Sequence, residues 1–375
     1  MKIGILTLPF NNNYGGYLQA YALMTVLKQM GHEVELIYRR NNRRSLRWRI
    51  KTIIKNTIKL SFGRKIGNYI PNQETEHRHR GHLMMSFVDK RIIPRTSPIY
   101  STKEMYRKIR ERKYDLIVIG SDQVWRPDYG QGYVQDFFLS EQTSILPVRI
   151  AYAASFGTSN MFFSKQERDE CGKAISKFRA VSVREHSGLD LIKRYGWDLI
   201  CEPIVVLDPT LLLSRDHYLS LLDNRCFESK DKIFCYILDK AEETMTVINA
   251  VERIVKAAPY YAIDVEKWEN SNYVMPSIES WLKGIRDSKM VVTDSYHGMV
   301  FSIIMHKTFV VKVNKTRGSD RFYTLLSILG LESRSVNDEH SILTALNTDI
   351  DWAYVQTKLN NEIKKSYTFL INNIQ

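Results

Sequence analysis

Residues 291–299 read VVTDSYHGM, and this stretch decides the fold. β-Branched residues end a short apolar run, residues 293–295 supply turn and helix-capping chemistry, and a second apolar run begins at Met299. This order predicts a strand, a tight turn and then a helix. Ligands of open parallel sheets bind where a strand ends and a helix begins, and the helix N-terminus favours anions. His297 is therefore a candidate for proton transfer, although a lone histidine is more often packed or used as a cap.

The same alternation of strand, turn and helix recurs through the chain and predicts an α/β protein with parallel sheets. A length of 375 residues fits two domains better than one. We expect a first domain over residues 1–215, with a basic insertion at about 39–70, and a second domain over residues 222–350. A long closing helix in residues 351–375 is predicted to pack back on the first domain.

The composition of the chain is that of a soluble globular protein, with an apolar fraction of 44% and a charged fraction of 25%. No run approaches the roughly 20 apolar residues of a membrane-spanning helix, and the N-terminus lacks a signal-peptide pattern, so a cytoplasmic location is expected. The four cysteines form no CxxC pair and suit neither a zinc site nor a disulfide framework. No metal is therefore predicted.

Residues 71–113 are polar and are interpreted as a solvated connection. They include His77, His79 and His82, but the surrounding arginines disfavour a bound cation. A metal site at these histidines is the less favoured alternative.

The net charge of +13 is concentrated in one segment, because residues 39–65 contain eleven Lys and Arg residues and no Asp or Glu. Apolar residues of this segment fall on one helical face, with Trp48 near the start; they are Leu46, Ile50, Ile53, Ile54 and Ile58. The pattern predicts a basic amphipathic helix that lies on an anionic membrane surface. The alternative is a helix packed on the protein by its apolar face. Nucleic-acid binding is less favoured, because no reading module follows.

Three other predicted turns carry candidate residues. The turn at residues 11–16 is rich in Asn and Gly, which suits close approach of the backbone to a ligand. It is not a GxGxxG fingerprint, so no nicotinamide cofactor is indicated. Asp122 follows a predicted strand, where chemistry is usual, although an Asp in such a turn is more often an N-cap. Arg184 follows another strand and suits an anionic ligand, the alternative being a salt bridge to a neighbouring acid.

Together these motifs resemble those of the polysaccharide pyruvyl transferase family. The resemblance covers nearly the whole chain, and its parts occur in the family's order. They are NNNYGGYLQAYAL at 11–23, GSDQVW at 120–125, AYAASFG at 151–157, SVREHSG at 182–188, LDPTLLL at 207–213 and TDSYHG at 293–298. Each motif alone is weak, but the six in order are specific.

This resemblance implies a GT-B-like fold of two Rossmann-like domains, with the active site in the cleft between them. It implies transfer of the pyruvyl group of phosphoenolpyruvate to two hydroxyls of a sugar, which gives a cyclic ketal and phosphate. No metal or organic cofactor is required. Acceptors of such enzymes are often lipid-linked polysaccharide repeat units, so the basic segment 39–65 would suit a peripheral position at the inner face of the cell membrane.

The resemblance also implies that Arg184 and His297 bind phosphoenolpyruvate. From the chemistry of these residue types, we expect His297 to act in acid/base catalysis and Asp122 to contact the acceptor hydroxyl. The residues expected to bind phosphoenolpyruvate are Arg184, Arg321, Ser295 and Tyr296. The residues expected to line the acceptor side of the cleft are Asn13, Gly15, Gln19, Ser121 and Trp125. Some members carry an Arg at the position of Ser295, two residues before the His, and Arg321 is expected to replace that cation here.

Two other functions stand as alternatives. A GT-B nucleotide-sugar glycosyltransferase of capsule or exopolysaccharide synthesis would keep the fold and change the donor. Glu279 is available to bind a nucleotide, but no clear motif surrounds it. A non-enzymatic scaffold that binds a membrane or nucleic acid is disfavoured, because His297, Arg184 and Asp122 stand at separate predicted strand ends.

Overall fold

The computed structural model describes residues 1–43, 46–61, 79–130, 132–141, 146–264 and 273–374. Two parallel sheets organise these residues, a six-stranded sheet in the first half of the chain and a four-stranded sheet in the second. Helices connect most of the strands, so the chain is an α/β protein with two Rossmann-like halves. The fold class predicted from the sequence is confirmed.

The first sheet is built from β1 (Lys2–Leu6), β2 (Glu33–Leu36), β3 (Leu116–Asp122), β4 (Val148–Ala154), β5 (Ala180–Val183) and β6 (Ile204–Val205). Its strand order is β2-β1-β3-β4-β5-β6, and each pairing is parallel. The helices of this half are α1 (Tyr14–Gln29), α2 (Leu46–Ser61), α3 (His82–Arg91), α4 (Thr102–Arg112), α5 (Pro127–Gly130), α6 (Lys165–Ile175), α7 (His186–Tyr195) and α8 (Arg215–Leu219). Every residue of β3 is buried, as expected for a central strand covered on both faces.

The second sheet is built from β7 (Ile233–Tyr236), β8 (Pro259–Tyr261), β9 (Met290–Thr293) and β10 (Phe309–Val311). Its order is β10-β9-β7-β8, again with parallel pairings. The helices of this half are α9 (Glu242–Val255), α10 (Ile278–Asp287), α11 (Tyr296–Ile304), α12 (Asp320–Leu329), α13 (Glu339–Asn347) and α14 (Trp352–Ile374).

The stretch at 291–299 forms the predicted strand, turn and helix, β9 followed by α11. Ser295 is the N-cap of α11, and its hydroxyl accepts a hydrogen bond from the Gly298 N–H at 3.4 Å. The Thr293 hydroxyl ties this turn to β7 by donating to the Tyr236 carbonyl at 2.6 Å. Gly298 packs against Thr293 so closely that a β-carbon there would lie 2.3 Å from the hydroxyl oxygen. The turn is therefore held rigidly at the carboxyl edge of the second sheet.

Helix α14 contacts the first sheet as well as α12. The Leu207 N–H donates to the Ser366 hydroxyl at 3.0 Å, and the rings of Tyr152 and Phe369 lie 6.2 Å apart. Ser366 is buried, so this contact belongs to the core rather than to the surface.

The interpretation of residues 71–113 as a solvated connection is wrong for the described part of that segment. Helix α3 buries Met84, Phe87 and Val88, and α4 buries Met105, Tyr106 and Ile109. The polar residues dominate the composition, but a narrow apolar stripe on each helix is enough to pack it on the sheet. His77 lies outside the described residues.

Helix α2 is amphipathic, as predicted, and three of its four isoleucines are exposed, while Ile53 is partly buried. Ile50, Ile54 and Ile58 are exposed by 49%, 54% and 51%, in a row spaced four residues apart. The side chains of Leu46 and Trp48 lie outside the described residues. Among the described helices, none has the length and apolar character needed to cross a bilayer.

Candidate active site

A cavity of about 490 Å³ lies between the two sheets at their carboxyl edges. Asn13 and Gly16, at the start of α1, and Asp122, at the end of β3, line it from the first half of the chain. Tyr236 and Arg317 line it from the second half. We call this space the interdomain cavity. Because both halves contribute walls, any ligand bound there would contact both.

A buried group of charged side chains lies behind the Asp122 wall. Arg184 Nη1 lies 2.7 Å from Asp208 Oδ2, and Arg184 Nη2 lies 3.3 Å from Asp122 Oδ1. His297 Nε2 approaches the same Asp208 oxygen at 3.4 Å. Arg184 thus makes the salt bridge that the sequence left open as the alternative to an anionic ligand. Asp122 belongs both to this group and to the cavity lining.

Two guanidinium groups lie against one aromatic ring in this group. The Cζ atoms of Arg184 and Arg321 are 4.6 Å and 5.2 Å from the ring centroid of Tyr296. Arg321 donates through Nη2 to the Arg317 carbonyl at 2.9 Å, and its Nη1 lies 4.0 Å from Asp122. The electron-rich face of an aromatic ring attracts cations, so Tyr296 stabilises both guanidinium groups. Arg321 is less firmly paired than Arg184.

Charge pairing fixes the protonation of the central groups. Burial alone would raise the pKa of the Asp208 carboxyl, but His297 and Arg184 outweigh it and hold that pKa well below its ordinary range. Burial opposes the charge of Arg184 as well, yet Asp208 and Asp122 raise its pKa. Burial and the nearby Arg184 lower the pKa of Arg321 to about 10, so Arg321 is still a cation at neutral pH.

His297 is held between the two halves of the chain. A β-carbon built on Gly15, in the first turn of α1, would lie 1.9 Å from His297 Nδ1. Gly15 is therefore a glycine because the imidazole occupies the place of its side chain. This contact positions the histidine beside the start of α1, while Asp208 approaches its other nitrogen.

Several buried polar atoms of this region have no hydrogen-bond partner within the chain. They include Arg184 Nε, Glu185 Oε2 and Arg321 Nε. Burial raises the pKa of Glu185, whose other oxygen accepts from Ser155 at 2.7 Å. Unpartnered polar atoms are costly in a protein interior, and a catalytic or binding role is one explanation for keeping them there.

The remaining predicted residues fall in different places. Asn13 lines the interdomain cavity and caps α1 by accepting from the Gly15 N–H. Gln19 is buried and donates to the Thr7 hydroxyl at 2.9 Å. Ser121 is buried 3.4 Å from Asp208 Oδ2. Trp125 lies in the core, where its indole N–H donates to the Phe137 carbonyl, so it does not line the interdomain cavity.

A family model for polysaccharide pyruvyl transferases matches residues 13–316, which include every wall of the interdomain cavity described above except Arg317. The chain belongs to the polysaccharide pyruvyl transferase family. It is accordingly a transferase, and the recognition made from the six sequence motifs is confirmed. No curated protein matches the sequence.

Two solved structures resemble the fold of this pyruvyl transferase family member. A protein described as a UDP-N-acetylglucosamine 2-epimerase from Listeria monocytogenes is 11% identical, with a TM-score of 0.53, and the match covers 96% of this chain and 91% of that one. The UDP-GlcNAc 2-epimerase from Neisseria meningitidis, bound to UDP-GlcNAc, is 10% identical, with a TM-score of 0.53 and full coverage of both chains. At this identity the likeness concerns the fold alone, a GT-B-like pair of Rossmann-like domains.

Sequence reasoning missed two residues of the candidate active site. Asp208 is not among the residues singled out from the sequence, yet it contacts both Arg184 and His297. Its place in the LDPTLLL motif was the available signal. Arg317 lines the interdomain cavity and makes a two-pronged pair with Asp239, at 2.7 and 2.6 Å. No local sequence signal marks it.

Metal binding finds no support in the described residues, where no group of three or more His, Cys, Asp or Glu side chains is placed to hold an ion. His79 and His82 are close to each other, with the His82 Nδ1 2.9 Å from the His79 carbonyl oxygen.

Proposed function

We propose that the chain transfers the pyruvyl group of phosphoenolpyruvate to two hydroxyls of a sugar in a polysaccharide repeat unit, with release of phosphate. The observation that carries the proposal is a buried charged group beside the interdomain cavity. Arg184 and Arg321 lie against Asp122, which lines the cavity, and His297 joins this group through Asp208. A cation pair, a histidine and a carboxylate are the groups that this reaction needs, and here they come from both halves of the chain.

The donor carries a carboxylate and a phosphate, so its site needs cations and helix N-termini. Arg321 is the better candidate for direct contact, because its Nε has no partner in the chain and its nearest carboxylate is 4.0 Å away. Arg184 is committed to Asp208 and Asp122, so its role is to hold those carboxylates and add positive charge. Ser295 stands where some family members carry an Arg, and its hydroxyl caps α11. Arg321 is therefore proposed to supply the positive charge that this Arg would provide.

In the proposed reaction, His297 and Asp122 carry out the proton transfers. His297 delivers a proton to the methylene carbon of the enol, which becomes a methyl group, and the central carbon becomes electrophilic. A sugar hydroxyl attacks that carbon while Asp122 accepts its proton. Asp122 then releases this proton to solvent, and His297 takes up one proton from solvent, so the first attack leaves both side chains as they began. The second hydroxyl then displaces the phosphate, which leaves with the second proton. Arg321 compensates the charge on the leaving group.

The acceptor is proposed to be lipid-linked, which would bring the enzyme to an anionic membrane surface. Helix α2 supports this location, because it exposes a row of isoleucines beside Lys51 and Lys55. The packed alternative would require those isoleucines to be covered, and they are about half exposed.

Thermal-shift binding tests the donor. Phosphoenolpyruvate at about 100 times its dissociation constant should stabilise the folded protein by about 2.7 kcal/mol and raise its melting temperature. Arg321→Gln should lose most of this shift, while Arg253→Gln, at an exposed position, should keep it. A shift given by UDP-, GDP- or CMP-sugars and not by phosphoenolpyruvate would reject the proposal in favour of a glycosyltransferase.

A further inference from the structure

A second cavity, of about 290 Å³, lies on the first sheet beside the interdomain cavity. Its walls come from the loop after β1, helix α1, the segment after β2, helix α3 and the loop that follows α3. Asn12 lines both cavities, so they are direct neighbours. We call this second cavity the side groove. It opens at the carboxyl edge of β1 and β2, the same edge of the sheet that carries Asp122.

One wall of the side groove is aromatic and rigid. The rings of Phe10 and Tyr17 stack at 4.7 Å with an angle of 13°, and Tyr38 lies 5.7 Å from Phe10. All three rings are almost fully buried, so only a small part of each is accessible from the groove. Tyr100 is half-buried at the rim. A ligand with apolar C–H edges would fit this wall.

Polar side chains also line the side groove, and the protein itself holds them in place. Arg40 donates through Nη1 to the Tyr38 hydroxyl at 2.6 Å. Arg95 pairs with Asp89 and donates to the Val88 and Ile92 carbonyls at the end of α3. The guanidinium groups are therefore engaged, and the groove does not call for a strong anion. Fixed polar groups beside aromatic rings suit a neutral ligand rich in hydroxyls, because little side-chain entropy is lost on binding.

We propose that the side groove binds a sugar unit of the acceptor adjacent to the unit that receives the pyruvyl group. This inference rests on the proposed function and extends it to the length of the acceptor. An acceptor drawn from a polysaccharide continues beyond the reacting ring, and the side groove is the neighbouring cavity at the same sheet edge. The two cavities together have the size of an ordinary small-molecule site, about 300–1,000 Å³.

The test compares acceptors of different length. The probes are fragments of the source strain's own exopolysaccharide, freed of ketals by mild acid and separated into monosaccharides and whole repeat units. Two variants alter the side groove in opposite ways: Tyr100→Ala removes a rim ring, and Pro98→Trp adds bulk at an exposed lining position. Tyr354→Ala removes a half-exposed ring of α14, far along the chain from the groove, and serves as the matched control.

Phosphate release from phosphoenolpyruvate gives KM for each acceptor. In both groove variants we expect the ratio of KM for repeat units to KM for monosaccharides to rise about tenfold, with kcat for repeat units changed far less. Tyr354→Ala should keep the wild-type ratio. A ratio that stays unchanged in both groove variants overturns the inference while leaving pyruvyl transfer in place.

Direct binding separates this inference from the reaction on which it rests. Saturation-transfer NMR of the repeat-unit fragments, recorded without donor, should show contacts that Tyr100→Ala and Pro98→Trp weaken and Tyr354→Ala retains. If the wild-type protein releases no phosphate with any fragment, the proposed reaction fails. The groove then stands if the NMR contacts depend on its residues, and it is rejected if they do not.

Discussion

The imidazole of His297 occupies the space that a side chain at Gly15 would need, since a β-carbon there would lie 1.9 Å from Nδ1. Gly15→Ala must therefore push the ring or the helix aside. We expect a loss of unfolding free energy of about 1–3 kcal/mol, the usual cost of overpacking. Urea unfolding of the variant measures this cost.

Gly16→Ala provides the matched control for that prediction. Its added carbon would meet only ordinary contacts, 3.9 Å from Asn13 and Asp122. Because alanine favours a helix over glycine by up to about 1 kcal/mol, this variant should be neutral or more stable. Equal stability of the two variants would contradict the contact between Gly15 and His297.

Asp208→Asn should destabilise the protein strongly at neutral pH. It removes the carboxylate that Arg184 contacts at 2.7 Å in the interior and leaves this guanidinium with the longer contact to Asp122, at 3.3 Å. Breaking a buried ion pair by removing one partner costs about 3–5 kcal/mol. The exposed Asp190→Asn should change the unfolding free energy by less than about 0.5 kcal/mol.

The stabilising effect of the Asp208 carboxylate should depend on pH. Its folded pKa is held below the unfolded value of about 3.9, so its stabilising contribution is full above that pH and is lost as the pH falls below it. The wild-type protein should unfold with a larger free energy than Asp208→Asn at neutral pH. This difference should shrink as the pH falls from about 5 to about 3, the range around the unfolded pKa. Unfolding free energies at a series of pH values test this, and a constant gap would contradict it.

His297→Ala should reduce turnover by about 10²–10⁴-fold, the usual contribution of general acid–base catalysis. Phosphate release from phosphoenolpyruvate with the ketal-free repeat unit is the measurement. His340→Ala, at an exposed position in α13, is the control and should retain wild-type turnover. A His297→Ala variant that keeps most of its activity would remove the acid/base role while leaving the family assignment untouched.

Helix α2 should bind anionic bilayers. In flotation with phosphatidylglycerol vesicles, Ile54→Asn should lower the bound fraction, because the apolar row at Ile50, Ile54 and Ile58 would be broken. Ile200→Asn changes an isoleucine that is 65% exposed and stands outside the basic segment, so binding should persist. Equal flotation of both variants, or none for the wild type, would reject membrane contact through α2.

Local features of the site were predictable from sequence, and long-range ones were not. The turn before His297 is encoded by residues next to one another, so capping and alternation rules were sufficient. The approach of Asp208 to His297 joins residues from different halves of the chain, and no periodicity reports it. Trp125 stands in a motif beside Asp122, but which way a side chain points after a strand depends on the packing of the whole domain.

The polar composition of residues 71–113 led to the wrong interpretation of this segment as a solvated connection. Helix α4 has only three buried side chains, and a window dominated by Arg, Lys and Glu does not reveal them. The basic helix α2 was easier, because its apolar residues recur at a regular spacing of four.

The hydrogen bond from the Leu207 N–H to the Ser366 hydroxyl has a consequence for the order in which the chain folds during synthesis. Leu207 is next to Asp208, the carboxylate on which Arg184 and His297 converge. During synthesis on the ribosome, the first sheet can emerge and pair its strands long before residue 366 is translated. The segment that holds Asp208 acquires its partner from α14 only afterwards. A nascent chain can thus possess a folded sheet and still lack a finished active site, and removal of α14 would leave the mature protein in that same condition.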